Sequence, residues 1–117
     1  MKDWLNRLFA AIDRMDADSF VLFLTEEASF RFANGPAVFD RENIRNAVQG
    51  FFSSIKGLHH NVSEVWEHGN IVICEGEATY TRHDGQKLTL PFVNILRMED
   101  ELIADYRIYI DISPLYA

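Results

Sequence analysis

Cysteine is almost absent from this chain. Cys74 is the only one among 117 residues, so no internal disulfide is available and nothing indicates an oxidising compartment. The triplet Asn61-Val62-Ser63 matches a glycosylation acceptor, but in a protein of the cytosol that match is chance. We therefore expect a cytoplasmic protein.

Long apolar runs are missing as well. No segment approaches the roughly 18 consecutive apolar residues that a membrane-spanning helix needs. The N-terminal segment is amphipathic and carries Asp3, Arg7 and Asp13, so it lacks the unbroken apolar stretch of a signal peptide. The sequence therefore predicts a soluble protein.

Positive charge is scarce and is never clustered. Eleven Lys and Arg residues stand against 18 Asp and Glu residues, which gives a formal net charge of −7. Nucleic acids and anionic membrane surfaces bind proteins through grouped Lys and Arg side chains. We expect neither as a partner, whereas a neutral or cationic small molecule or another protein fits the charge.

The motifs of metal and nucleotide sites are missing too. The chain has no HExxH, CxxC or His-x-His spacing, and its histidines are His59, His60, His68 and His83. The first two are adjacent on a predicted strand and point to opposite faces, and the other two lie at predicted turns. Phosphate-binding glycine loops and the GxSxG elbow do not occur either. We expect no metal and no cofactor.

Apolar residues, by contrast, make up 48% of the chain, and 13% of all residues are aromatic. A chain of this length supports one core and is too short for two, so we expect residues 1–117 to form a single domain. Apolar residues recur at helical spacing in segment 4–12. A short second helix is predicted to follow, with Asp16 or Asp18 as its N-cap.

A strand and the longest helix are predicted next. Phe30 and Phe32 alternate with polar neighbours, which indicates a short strand over residues 28–33. The third helix is predicted to begin after Asp40 as N-cap and to end at Lys56-Gly57, where glycine takes the left-handed position.

The second half of the chain consists of four strand-like runs, at residues 59–68, 71–82, 86–98 and 102–112. The first two turns are Gly69-Asn70 and Asp84-Gly85, and Asp-Gly is typical of a type I′ hairpin turn. These runs exceed the usual strand length of roughly five or six residues. Strands this long twist and bend, which gives a meander a concave face.

Helices that come first and strands that come last predict an α+β fold. We expect a cone-shaped roll in which three N-terminal helices pack in the concave face of a long, curved, mainly antiparallel sheet. Because a helix cannot fill a cone along its whole length, the wide end is predicted to stay open as an apolar cavity.

This order and four local strings carry a family resemblance. The strings are Ala11–Asp16, Phe39–Ile44, Pro91–Arg97 and Leu102–Asp111. They resemble the SnoaL-like group of the nuclear-transport-factor-2-like superfamily, which includes ketosteroid isomerases, scytalone dehydratase, limonene-epoxide hydrolase and polyketide cyclases. The resemblance covers nearly the whole chain and implies the fold. It does not imply one activity, because this architecture hosts several classes of enzyme as well as binding proteins.

The catalytic residues of these relatives are only partly matched. Asp13 and His60 resemble an aspartate and a histidine of scytalone dehydratase, and Asn94 lies where ketosteroid isomerase has an oxyanion-hole acid. The isomerase's base position resembles Phe32, which takes no proton. Where limonene-epoxide hydrolase has its charged catalytic residues, the resemblance puts the uncharged residues Gly76, Ala78 and Ile108. We therefore do not expect the chemistry of that enzyme.

Asp13 and His60 are therefore candidates for a general acid–base pair, in which the carboxylate orients the imidazole. The alternative is that Asp13 only ends the first helix and that His60 caps the third. Asn94 is a further catalytic candidate because it is polar within an apolar run, and a buried amide needs a hydrogen-bond partner. That partner is either a ligand oxygen or a side chain on a neighbouring strand.

We expect a set of aromatic and aliphatic side chains to line the cavity and bind the ligand, namely Tyr80, Phe51, Phe52, Trp66, Tyr106 and Ile108. The small residues Gly76 and Ala78 are predicted to leave room for a ligand beside the phenol of Tyr80. Residues 107, 109 and 111 alternate onto the outer sheet face, and the resemblance implies a homodimer through that face.

The leading hypothesis is a cofactor-independent isomerase, dehydratase or cyclase that binds a small hydrophobic molecule with a carbonyl or hydroxyl group. In it, His60 with Asp13 transfers a proton, and Asn94 with Tyr80 stabilises the oxygen. The rival hypothesis is a non-catalytic domain of the same fold that binds a ligand or acts through a dimeric interface.

Overall fold

The computed structural model of the chain describes residues 2–117. The elements in this part of the chain are α1 (Lys2–Asp13), α2 (Ala17–Val21), β1 (Leu24–Phe32), β2 (Val38–Phe39), α3 (Arg41–Ser53), β3 (Gly57–His68), β4 (Ile71–Thr81), β5 (Lys87–Glu99), β6 (Leu102–Tyr109) and a 3-10 helix (Ser113–Tyr116). Apart from the two-residue strand β2 and the final 3-10 helix, this is the order of elements that the sequence predicts.

The strands form one open, curved sheet of six, in the order β2-β1-β6-β5-β4-β3. Strands β3 to β6 make the predicted antiparallel meander, and β1 joins it parallel to β6. The helices pack on one side of the sheet. The predicted α+β fold, with helices against a long and mainly antiparallel sheet, is confirmed.

Two interruptions of the strand pairing bend the meander. The register of β3 against β4 shifts between Val62 and Glu64, and that of β5 against β6 shifts between Arg97 and Met98. An extra residue on one strand bends that strand and increases its local twist. The long strands are therefore curved at defined positions.

Strand β1 begins at Leu24, four residues before its predicted start at Ala28. Its register against β6 also shifts, between Leu24 and Ser29. The shift interrupts the alternation of buried and exposed side chains, and that alternation is the sequence signal for a strand. For this reason the sequence pattern does not predict the first part of β1.

The predicted hairpins are present, but the type I′ turn predicted at Asp84-Gly85 is wrong. Gly69 has φ of 59° and Gly85 has φ of 89°, whereas neither Asn70 nor Asp84 has positive φ. A type I′ turn needs positive φ at both central residues. Each turn therefore uses its glycine alone for the left-handed position.

Helix α3 ends earlier than predicted. Its C-cap is Ser54, in a right-handed conformation, and Gly57 is the first residue of β3. The apolar stripe continues to Ile55 because that side chain is buried in the core although it lies beyond the helix. At the other end Asp40 holds the predicted N-cap position, but its side chain makes no capping hydrogen bond.

The core lies between the inner sheet face and the helices. Helix α1 contributes Leu5, Leu8, Phe9 and Ile12, all of them buried. Asp16 caps α2 by accepting a hydrogen bond from the Ser19 amide, which fixes the turn between the first two helices. In residues 2–117 there is no helix long and apolar enough to cross a bilayer.

Candidate active site

The helices leave part of the concave side of the sheet unfilled, as a cavity of about 350 Å³. Pro36 in the β1–β2 loop and Ala47 on α3 line the cavity and are exposed to solvent, so the cavity opens between these two elements. Its other lining residues are Ile12, Phe20, Phe30, Phe32, Gly35, Val38, Val48, Phe51, Phe52, Leu58, His60, Tyr80, Phe92, Asn94, Tyr106 and Ile108.

The wall is apolar except at four side chains that carry polar groups, those of His60, Tyr80, Asn94 and Tyr106. Pockets of this kind bind apolar molecules, and a few polar groups fix the orientation of the ligand. Each of the four comes from a different strand, from β3, β4, β5 and β6 respectively. The sheet therefore brings together polar groups that are far apart in sequence.

Asp13 and His60 form a close pair. Nδ1 of His60 lies 2.6 Å from Oδ1 of Asp13, and the His60 backbone amide donates to Oδ2 at 2.9 Å. The side chains of Asp13 and His60 are only 21% and 10% exposed. Both carboxylate oxygens of Asp13 thus bind His60, and this pair joins the end of α1 to β3.

This pairing sets the roles of the two ring nitrogens. A carboxylate oxygen only accepts hydrogen bonds, so Nδ1 of His60 carries the hydrogen. In a neutral imidazole the lone pair then lies on Nε2. The ring is held between Phe9 and Phe92, with centroid distances of 4.8 and 5.2 Å, so its orientation is fixed by packing as well.

A second histidine lies near the same carboxylate. Nδ1 of His59 is 3.7 Å from Oδ2 of Asp13. Its side chain is 75% exposed, and it does not line the cavity. The two adjacent histidines therefore share a carboxylate, but only His60 faces the interior.

Asn94 and Tyr106 form the second polar pair of the wall. Nδ2 of Asn94 lies 3.5 Å from the hydroxyl oxygen of Tyr106, which is a long hydrogen bond. Asn94 is the one buried polar or charged residue in the described part of the chain, and its Oδ1 atom has no partner there. Burial raises the pKa of the Tyr106 hydroxyl well above its ordinary value. That phenol is therefore neutral at any physiological pH.

Tyr80 supplies a further neutral phenol. Burial is the main cause that raises its pKa above the ordinary value of 10.0, and the nearby Tyr116 and Asp13 add to the effect. A neutral phenol donates a hydrogen bond and can stabilise charge that develops on a ligand oxygen.

The structure brings most of the predicted ligand-binding residues to the cavity wall. Phe51, Phe52, Tyr80, Tyr106 and Ile108 all line it, and so do the catalytic candidates His60 and Asn94. Asp13 stands behind His60 and is not part of the wall.

Trp66 does not line the cavity. It pairs with Ile73 on the outer face of the sheet and is 48% exposed. Strict alternation from His60 puts Trp66 on the inner face, but the register shift between Val62 and Glu64 reverses the alternation. Beyond that bulge Val65 packs against the core instead.

The space that Gly76 is predicted to leave for a ligand is filled by the protein itself. A β-carbon on Gly76 would collide with the carbonyl oxygen of Asn61 and the α-carbon of Val62. Gly76 therefore admits the bulged backbone of β3 rather than a ligand, which is a common reason for glycine within a strand.

Sequence reasoning missed the aromatic side chains that position His60 and those at the base of the cavity. Phe9 comes from α1, and Phe20 comes from α2, so only the tertiary packing shows that they are part of the site. Phe92 lies two residues from Asn94 on the same strand face, and this spacing was a usable signal. No group of three His, Cys, Asp or Glu residues within 2–117 could hold a metal ion.

Comparison with known proteins places the fold in a family. The model of the SnoaL-like domain matches residues 5–106. No curated protein sequence matches at a significant level. A nuclear-transport-factor-2-like protein of unknown function from Burkholderia pseudomallei K96243 has a similar structure, with a TM-score of 0.87 at 16% identity, and 97% of this chain and 92% of that one are covered.

Two further solved structures are similar over most of their length. TerC, co-crystallised with polyporic acid, has a TM-score of 0.85 at 16% identity, with 97% of this chain and 93% of that one covered. A putative SnoaL-like polyketide cyclase from Jannaschia sp. CCS1 has a TM-score of 0.83 at 19% identity, with coverage of 97% and 87%. At such identities these similarities establish the fold alone. The family match extends over most of the sequence, and the chain belongs to the SnoaL-like domain family.

Proposed function

We propose that the cavity binds a compact hydrophobic molecule with a carbonyl or hydroxyl group, and that His60 and Asp13 transfer a proton to or from it. The observation that carries the proposal is the 2.6 Å contact between the two side chains, on a histidine that also lines an apolar cavity. A general base needs this arrangement, in which a third group fixes the orientation of the ring.

In this reaction Nε2 of His60 removes a proton from the carbon next to a carbonyl group. The electron pair of the broken C–H bond moves into the carbonyl group, whose oxygen becomes that of an enolate. Asp13 stabilises the imidazolium that forms. The imidazolium then returns the proton to another carbon, which is an isomerisation, or to a departing hydroxyl group, which is a dehydration.

Tyr80 and the pair formed by Asn94 and Tyr106 are the groups that hold the oxygen of the ligand. Nδ2 of Asn94 donates to the Tyr106 hydroxyl, so the two phenols supply the hydrogen bonds to that oxygen. Hydrogen bonds are stronger in a cavity that excludes water, and donors fixed before the reaction need no reorganisation. The apolar side chains of Phe20, Phe30 and Phe92 line the same cavity, so a ligand that fills it would displace water from these polar groups. The similarity to TerC, which was co-crystallised with polyporic acid, supports a ligand of this general kind.

The test uses 2-tetralone, a bicyclic ketone with acidic protons next to its carbonyl group. Exchange of these protons for deuterium in D₂O is followed by NMR with and without the protein. We expect the wild-type protein to accelerate exchange and His60→Ala to lose about 100-fold of that acceleration, in line with the usual contribution of a general base. His59→Ala is the matched control and should retain it, because that ring is 75% exposed and outside the cavity.

Exchange by His60→Ala at the wild-type rate would contradict the role of this histidine. If 2-tetralone binds in the cavity and the wild-type protein does not accelerate its exchange, the non-catalytic binding function is the better description. Binding is measured separately, by the change in chemical shift of the cavity residues.

We also propose that the protein is a homodimer through the outer face of the sheet. Trp66 and Tyr109 lie on that face and are 48% and 50% exposed, so burying them against a second copy would remove apolar surface from water. Arg107 and Asp105 form an ion pair at 2.8 Å on the same face and would lie at the contact.

A further inference from the structure

The wall of the cavity contains one buried polar atom with nothing to bind. Oδ1 of Asn94 has no hydrogen-bond partner in residues 2–117, and the residue is only 2% exposed. A buried acceptor without a partner is costly, and such atoms are rare in native proteins. Asn94 lines the cavity, so a molecule bound against this wall lies next to the residue whose acceptor lacks a donor.

The hydroxyl group of Tyr106 complements this acceptor. Its oxygen accepts the bond from Nδ2 of Asn94, so the hydroxyl hydrogen is still available to donate. Tyr106 also lines the cavity, and its raised pKa keeps that hydrogen in place. One wall of the cavity thus offers an acceptor and a donor side by side.

We propose that this pair selects ligands in which the bound oxygen carries a hydrogen, that is, phenols, enols or alcohols. A hydroxyl group donates to Oδ1 of Asn94 and accepts from Tyr106 with a single oxygen, whereas a carbonyl oxygen accepts only and leaves Oδ1 without a donor. The inference rests on the proposed function, because it assigns the chemistry of the molecule that enters the same cavity.

The pair of Asn94 and Tyr106 also affects the proton transfer on the ligand. A ketone that enters the cavity binds less well than its enol, since only the enol satisfies both groups. The pair therefore favours the enol tautomer, and His60 is the group that moves the proton on carbon. For a ligand that is already a phenol or an alcohol, the pair sets the orientation of the ring in the cavity.

The test compares three naphthalenes of nearly equal size by titration calorimetry. 2-Naphthol both donates and accepts, 2-methoxynaphthalene only accepts, and 2-methylnaphthalene does neither. We expect 2-naphthol to bind about tenfold more tightly than either of the others, since a site built to bind a hydroxyl group rejects a molecule that lacks it. Asn94→Leu should abolish this preference and change the affinity for 2-methylnaphthalene by less than about threefold.

Tyr106→Phe is the second variant, and it should reduce the preference without removing it, because the acceptor is still present. It also keeps the experiment informative if Asn94→Leu does not fold. Equal affinities of the wild-type protein for 2-naphthol and 2-methylnaphthalene would overturn the inference but leave binding of apolar molecules intact. Tightest binding of 2-methoxynaphthalene would overturn it too, because the amide nitrogen would then face the ligand. If none of the three binds, the proposed function fails together with the inference.

Discussion

Asp13, the last residue of helix α1, accepts two hydrogen bonds from His60 on strand β3, one from Nδ1 at 2.6 Å and one from the backbone amide at 2.9 Å. The two residues are 47 positions apart in sequence. The carboxylate therefore does more than end a helix, since it fixes both the position and the tautomer of the ring. This contact leads to the first prediction.

Asp13→Asn should lower the rate of proton exchange at 2-tetralone by at least about tenfold and lower the free energy of unfolding by only about 1 kcal/mol. The asparagine amide can donate to Nδ1, and the hydrogen of the neutral imidazole then moves to Nε2, where the base is needed. Exchange is measured by NMR and stability by urea unfolding. Unchanged exchange in this variant would remove Asp13 from the mechanism.

The pairing of Asp13 with His60 and the position of Asn94 could be predicted because the family resemblance implies site positions for these residues and the local patterns agree with it. His60 and Asn94 each lie on a long strand with regular alternation near them, and the family resemblance indicates which face is the inner one. Asp13 ends an amphipathic helix whose apolar stripe must face the sheet. None of these predictions needs the details of strand register.

Trp66 and the space at Gly76 could not be predicted, and a single bulge is responsible for both failures. The segment Asn61–Glu64 contains no glycine or proline that would indicate a bulge. The glycine that accommodates the bulge is Gly76, on the neighbouring strand. Only the pairing of the two strands shows that the backbone of β3 approaches that glycine. The contact between Asn94 and Tyr106 depends in the same way on the register of β5 and β6.

The bulge gives a prediction about stability. Gly76→Ala should lower the free energy of unfolding by about 1–3 kcal/mol, because its β-carbon would collide with the backbone of Asn61 and Val62. Gly50→Ala on helix α3 is the matched control, since a β-carbon there meets no atom within 4 Å. It should stabilise the protein by about 0.5–1 kcal/mol, because alanine is the better helix former. Urea unfolding of the two variants checks both signs, and equal effects would contradict the assigned close approach.

The buried thiol gives a prediction about pH. Burial raises the pKa of Cys74 to about 12 from its ordinary value of 9.0. Between these values the unfolded chain loses the thiol proton and the folded protein keeps it, so the contribution of this group to stability is complete below about pH 9 and is lost as the pH rises toward 12. The free energy of unfolding should therefore fall across this interval.

Cys74→Ala tests this assignment. The variant should be less stable overall because it leaves a cavity, but its free energy of unfolding should fall with pH less steeply, by up to about 1.4 kcal/mol per pH unit for one proton. The slopes are obtained from urea unfolding at several pH values between about 9 and about 11. Tyr116→Phe is the control, because its hydroxyl belongs to a side chain that is 58% exposed. Identical slopes for the wild type and Cys74→Ala would contradict the raised pKa.

The outer face of the sheet gives a prediction about assembly. We expect the wild-type protein to sediment as a dimer at micromolar concentration, and Trp66→Glu or Tyr109→Glu to sediment as a monomer, because a buried unpaired carboxylate opposes association. Leu22→Glu is the matched control, since Leu22 is 66% exposed and does not lie on the sheet face. A wild-type monomer at the same concentration, or dissociation by the control as well, would contradict an interface at this face.

Asn94 gives the last prediction, in which ligand preference changes and stability does not. In the empty protein its Oδ1 atom is buried without a partner, so an apolar side chain of similar shape removes a costly group, but it also takes the hydrogen bond from Nδ2 away from the Tyr106 hydroxyl. Because the two effects offset each other, Asn94→Leu should change the free energy of unfolding by less than about 1 kcal/mol while it loses the preference for hydroxyl-bearing ligands. An asparagine that only tied strand β5 to β6 through Tyr106 would behave differently, because its removal would destabilise the protein by about 1–3 kcal/mol and leave ligand preference unchanged. Thermal unfolding of the variant with and without 2-naphthol separates the two roles, since only the wild type should gain stability from that ligand in excess over 2-methylnaphthalene.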